Sequence, residues 1–172
     1  MAVDQRVRAF EEFVASRWAS LYRTAFLLTG EHAGAEDVLQ TTLVKAFACW
    51  GRVERADSAE AYVRRMLVNA FLSARRRGSS RNELVQELTP DVPVGTHESA
   101  VVDRVNLWAY VNGLPPRQRA VVVLRFYEDM SERQVADTLG CSPGTVKSQT
   151  HDALRRLRAC LETAPESEGT PR

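Results

Sequence analysis

The residues best equipped for chemistry lie between positions 131 and 155. Ser142, Thr145, Lys147, Ser148, Gln149, His151 and Arg155 fall on the polar face of a helix that Ser142 caps and Pro143 opens. Hydroxyls, an amide, an imidazole and cations are the types that hydrogen-bond base edges and phosphates in a major groove. The free N–H groups at 142–145 add a helix start able to hold a phosphate. A second set is Tyr62, Arg65, Asn69, Arg76 and Arg77. There Tyr62 is suited to stacking on an unpaired base, Asn69 to bonding a base edge and the arginines to holding phosphates. By spacing alone this second set reads equally well as a solvated helix face. A third set, Glu36, Asp37, Gln40 and Thr41, is polar and partly acidic. It fits a solvated face or a docking surface for a basic partner.

Nothing in the chain resembles a catalytic set. His32, His97 and His151 lie far apart, the first expected in a loop and the second in a linker. No glycine-rich phosphate loop is present. Cys49, Cys141 and Cys160 lack metal or disulfide spacing, so reduced thiols are expected, with no metal and no cofactor. No apolar run reaches the roughly 18 residues of a membrane span, and the charged N-terminus has no signal-peptide core. A cytoplasmic protein is therefore expected. The net charge of +1 points to no partner, but its distribution does. Residues 1–77 carry +3, residues 78–103 carry −4 and residues 104–172 carry +2. Two mildly basic blocks around an acidic connector suit a partner of mixed electrostatics better than bare duplex DNA.

The elements that must position these sets all have helical periodicity. Phe10, Val14, Trp18, Leu21, Ala25 and Leu28 form one stripe, stopped at Thr29-Gly30. A second helix is expected from Ala33 to Trp50, ended by Gly51, and Arg52–Asp57 is expected to be a loop. Ser58 caps a third, with Val63, Met66, Leu67, Ala70, Phe71 and Ala74 inward, closing on Arg75-Arg76-Arg77-Gly78. Glycines and prolines then mark a linker, with one amphipathic piece at 83–88. Four helices are expected after it: Ser99–Gly113, then Arg117–Tyr127 behind Pro115-Pro116 with Ala120, Val121, Leu124 and Phe126 buried, then Ser131–Leu139, then Ser142 to about Leu161. The last two read as a helix-turn-helix. Ser131 caps the first, small Ala136 admits a close crossing, Gly140 supplies a left-handed turn residue and Val146 packs inward. The fold class is all-α: two small helical domains joined by a flexible linker, the C-terminal one containing the helix-turn-helix. The expected divisions are 1–77, an acidic linker at 78–98, 99–161 and a disordered tail at 162–172.

Several motifs in order carry a family resemblance. They are Ala35-Glu36-Asp37-Val38-Leu39-Gln40 with Phe47, Tyr62 to Asn69, Arg75-Arg76-Arg77, Leu114 to Arg119, and Gly144-Thr145-Val146-Lys147-Ser148. Together they resemble the extracytoplasmic-function (ECF, group IV) RNA polymerase sigma factors, with Lys147-Ser148-Gln149-Thr150 similar to an actinobacterial subgroup. The resemblance implies a factor that binds core RNA polymerase and directs promoter-specific initiation, not an enzyme. Glu36, Asp37, Gln40 and Thr41 would dock on the β′ coiled coil, and the polymerase β flap would be a further partner surface. Gly51–Glu60 with Tyr62, Arg65, Asn69, Arg76 and Arg77 would melt and read the minus-ten element. The 142–155 helix would read the minus-thirty-five element. An anti-sigma protein would be the regulator. The chain departs from the family at Gln149 and Asp152, where many members carry arginine, so Gln149 is expected to favour adenine over guanine. The other readings are a stand-alone helix-turn-helix regulator and a helical enzyme or small-molecule sensor. The first would need strands and an acidic pocket in residues 6–77 if it were a phospho-receiver type, and the second a pocket of convergent polar groups.

Overall fold

A computed structural model describes residues 2–82 and 107–163. Among the described residues the chain is entirely helical. α1 (Ala2–Thr29) packs on α2 (His32–Ala48) and α4 (Ala59–Asn82), with the single turn α3 (Trp50–Val53) between them. Leu21, Ala25, Leu28, Leu39, Val63, Leu67 and Phe71 are almost wholly removed from water. Each of the leucines, Val63 and Phe71 contributes about 1.5–3 kcal/mol by this burial. Phe10 and Phe13 close one end over Trp50, each with ring centroids 5.2 Å from it. α1 stops at Gly30, whose left-handed φ of +84° suits glycine, and the Gly30 N–H donates to Phe26 O at 2.8 Å.

The second unit runs through α5 (residues 107–112 in the described part), α6 (Pro116–Val122), a π-helical turn (Val123–Tyr127), α7 (Glu132–Leu139) and α8 (Pro143–Thr163). Pro116 starts α6 at a position where a missing N–H costs nothing. In the π turn Glu128 N–H reaches back five residues to Val123 O, at 3.0 Å. Val121, Leu124, Val135, Ala136 and Val146 join the same apolar cluster as Leu28 and Phe71, so one core runs through both units. A smaller cluster of Val111, Leu114, Val122, Ala153 and Leu157 ties α5 and α6 to α8.

Several expectations are corrected. Gly51 does not end a helix but sits inside α3; the break is at Cys49, with φ −113° and ψ 24°. α4 does not close at Gly78 but runs to Asn82, because a glycine with helical backbone only weakens a helix. Arg75 accordingly serves another helix, donating to Thr29 O at the end of α1 at 3.1 Å. His32 is no loop residue. It opens α2, and its Nδ1 lies 2.7 Å from Tyr22 Oη. Trp18 is 44 % exposed, since it lies about 60° round the helix from Leu21 at the flank of the stripe. Phe126 is 58 % exposed because the π turn inserts a residue and swings it off the buried face. The expected linker beyond Asn82, with the 83–88 piece and His97, the start of the helix at Ser99, and the tail from 164 lie outside the described residues.

Candidate nucleic-acid interface

The helix-turn-helix is assembled from local devices. Ser131 Oγ accepts the Gln134 N–H at 3.2 Å, and Gln134 Oε1 accepts the Ser131 N–H at 2.8 Å, so both ends of this capping box are satisfied. Gly140 adopts φ 63° and ψ 43°, the left-handed conformation that turns the chain sharply out of α7. Ser142 Oγ accepts the Thr145 N–H at 3.1 Å and lies 2.9 Å from Thr145 Oγ1. Those two hydroxyls therefore work first as the cap of α8. Ala136 and Val146 are buried against the neighbouring helices.

The outer face of α8 presents Lys147, Ser148, His151 and Arg155 to solvent, with Thr145 and Gln149 half-buried beside them. Arg155 is not a free cation: its Nη2 lies 3.1 Å from Asp152 Oδ1. That pair offsets part of the charge a phosphate would meet.

On α4, Arg65, Asn69, Arg76 and Arg77 are exposed and Tyr62 is half-buried. Arg76 also donates to Ser73 Oγ at 3.1 Å. Tyr62 and Arg65 line a cleft of about 540 Å³ whose far wall belongs to the second unit, at Asp129, Met130, Gln134, Asp137 and Thr138. The structure thus brings Tyr62 and Arg65 up against the C-terminal unit and leaves Asn69, Arg76 and Arg77 open. On α2, Glu36, Asp37, Gln40 and Thr41 form an exposed face opposite buried Ala35, Val38, Leu39 and Thr42. Asp37 also edges a hollow of about 500 Å³ with Arg75, Phe71 and Pro116.

The charged residues joining the two units escaped sequence reasoning. Glu128 reaches from the end of the π turn to Arg64, 3.0 Å away, and accepts from the Thr24 hydroxyl. Arg64 also pairs with Glu60 at 2.9 Å, and Glu60 with Arg17 at 3.1 Å. Arg119, 6 % exposed, donates to Leu28 O at 2.8 Å across the junction and to Asn112 O and Leu114 O within its own unit. Burial, with the neighbouring Arg75 second, pushes the Arg119 pKa down to about 10. Its sequence neighbours Pro115-Pro116 mark a helix start, but nothing in a lone arginine signals burial.

Among the described residues no group of His, Cys, Asp and Glu could hold a metal ion, and no helix is long and apolar enough to cross a membrane. Cys49 and Cys141 are half-buried free thiols.

Comparison with known proteins agrees with this geometry. Residues 14–81 match the model of sigma-70 region 2, and residues 104–157 that of sigma-70 region 4. An RNA polymerase sigma-E factor of Streptomyces avermitilis is 40% identical over 157 residues, covering 91% of this chain and 87% of that protein. The ECF RNA polymerase sigma factor SigL of Mycobacterium tuberculosis is 35% identical, covering 84% of each. A solved sigma factor RpoE from Bartonella quintana, in complex with the anti-sigma factor NepR, superposes with a TM-score of 0.71 at 26% identity, over 91% of this chain and 99% of that one. A stand-alone regulator is not favoured, because the N-terminal half is itself a sigma region. The chain belongs to the actinobacterial ECF RNA polymerase sigma factors, which bind core polymerase and promoter DNA to initiate transcription.

Proposed function

We propose that this sigma factor reads its promoters through two separate faces and docks on polymerase through a third. Ser142, Thr145, Lys147, Ser148, Gln149, His151 and Arg155 meet the minus-thirty-five element in the major groove. Tyr62, Arg65, Asn69, Arg76 and Arg77, with the α3–α4 turn, meet the minus-ten element. Glu36, Asp37, Gln40 and Thr41 meet the basic partner surface, the polymerase β′ coiled coil. The observation that carries the reading is the α8 face: capped at Ser142, aimed by Gly140, and open to solvent at Lys147, Ser148, His151 and Arg155.

The net charge of +1 fits a factor that binds DNA weakly alone and gains selectivity when polymerase holds both faces at a fixed separation. Such a factor acts in the cytoplasm and catalyses nothing itself. The B. quintana factor is seen with an anti-sigma protein; a regulator of that class is part of the proposal for this chain. In vitro transcription with core polymerase on a promoter pool tests the reading. Factor-dependent transcripts are expected from the wild type and their loss from the Asp37→Ala, Gln40→Ala double variant. Undiminished transcripts from that variant would remove α2 as the docking face.

A further inference from the structure

α2 begins without the side-chain cap that opens α7 and α8. Its N-cap residue, Glu31, is extended at φ −146° and ψ 150° and makes no side-chain hydrogen bond to the first turn. Ser131 makes that bond for α7 and Ser142 for α8. A helix start with no such partner frays unless something else holds it. Here the holder comes from α1. Tyr22 Oη lies 2.7 Å from Nδ1 of His32, the first residue of α2. The His32 ring stacks on the Tyr22 ring, with centroids 6.3 Å apart and planes 19° from parallel, and tilts on the Phe26 ring at 4.8 Å. His32 itself is exposed, so this clamp adds little to the core beneath it, where Leu28, Ala35 and Leu39 are fully buried. Its effect falls on orientation. His32, Glu36 and Gln40 are spaced i, i+4 and i+8 along one ridge of α2, with Asp37 and Thr41 each one residue on.

Resting on the α2 docking reading above, we propose that Tyr22 and His32 are positioning residues for polymerase binding. The pair stands in for the absent cap. It keeps the first turn of α2 wound and fixed against α1 in the free chain, so that Glu36, Asp37, Gln40 and Thr41 meet the basic partner surface already in place. A docking helix that must first be ordered binds more weakly, in proportion to the fraction of time it is ordered.

The test compares the full-length wild type with Tyr22→Phe, which keeps the ring and loses the hydroxyl, with His32→Ala and with the double variant. Hydrogen exchange in the free chain reads the first turn at the amides of Ala35, Glu36 and Asp37. Transcription in vitro against factor concentration, at fixed core polymerase, separates docking, read as the half-saturating concentration, from initiation, read as the plateau. Both single variants are expected to exchange faster at those amides with the unfolding midpoint unchanged. His32→Ala is expected to raise the half-saturating concentration about tenfold, as a first turn ordered a tenth of the time requires, and to keep the wild-type plateau. Tyr22→Phe is expected to move the same way by less. The double variant is expected to match His32→Ala, because one contact is not lost twice. Unchanged exchange, an unmoved half-saturating concentration, a lowered plateau or a lowered midpoint overturns the proposal. So do additive losses in the double variant, which would make each side chain a separate polymerase contact. The Asp37→Ala, Gln40→Ala chain is run alongside. Wild-type docking by that chain sinks the α2 reading, whereas a defect there beside an unmoved His32→Ala sinks only the clamp.

Discussion

On α8 the polar side chains project from a helix whose start and turn are settled within the stretch from Ser131 to Thr145, and whose inner side packs on helices of its own unit. On α4 the corresponding side chains project from a helix whose surroundings are settled by residues far away in sequence, at Glu128, Asp137 and Thr138. The first face is modular and would look the same on any scaffold that supports a helix-turn-helix. The second is contextual: Tyr62 and Arg65 are as accessible as the position of region 4 permits. The two candidate faces therefore differ in kind: the one on α8 is built by its own unit, and the one on α4 is bounded in part by the other unit. The difference teaches that exposure of a binding face can be a property of the assembly and not of the element that carries it.

The strongest way to break this comparison is to remove the buried cation that joins the halves. Arg119→Ala leaves the carbonyls of Leu28, Asn112 and Leu114 without their donor. It should destabilise the fold by about 3 kcal/mol or more, read as a lower midpoint in denaturant. A loss below about 1 kcal/mol, the scale of an exposed pair, would show that the junction is held elsewhere. The same residue predicts how stability responds to pH. Burial lowers its pKa on folding to about 10, below the usual arginine range, so the folded state disfavours its charged form, and that cost is relieved only as pH rises through about 10. Arg119 should therefore contribute no slope between pH 6 and 8.

The next effect sharpens the modular side. Gln149→Arg should move the preferred minus-thirty-five base from adenine toward guanine by about 1–3 kcal/mol of discrimination, measured by selection from randomised promoters with the holoenzyme. An unchanged preference would detach Gln149 from base reading. The smallest effect concerns the Asp152–Arg155 pair. Asp152→Asn frees the guanidinium, and the salt dependence of duplex binding should steepen by about one phosphate contact, with little change in sequence preference. A slope equal to wild type would mean that Arg155 does not face phosphate.

What could be read from the amino acids divides along the same line as the two faces. Ser131 with Gln134, Gly140, and Ser142 before Pro143 announce their roles because caps and turns are local, decided by neighbours within four residues. The helical periodicity that defines the fold class is equally local. Phe126 misled because its pattern assumes 3.6 residues per turn, and the π turn breaks that count. Gly51 and Gly78 misled because a glycine halts a helix only when the chain uses its left-handed freedom, as it does at Gly30 and Gly140. Glu128, Arg64 and Arg119 could not be found at all. Charged residues read as solvated unless something buries them, and here that something lies across the junction between the two halves.

The extra residue in the Val123–Tyr127 turn gives that turn the character of an expansion joint. Each residue of an α-helix advances the chain by about 100° of rotation. The wider π turn spreads five residues over about the rotation that four would take in an α-helix. One residue is thus taken up locally, while α7 and α8 keep the bearing that sets Glu128 against Arg64. The surplus shows only at the joint itself, where Phe126 is turned out to solvent.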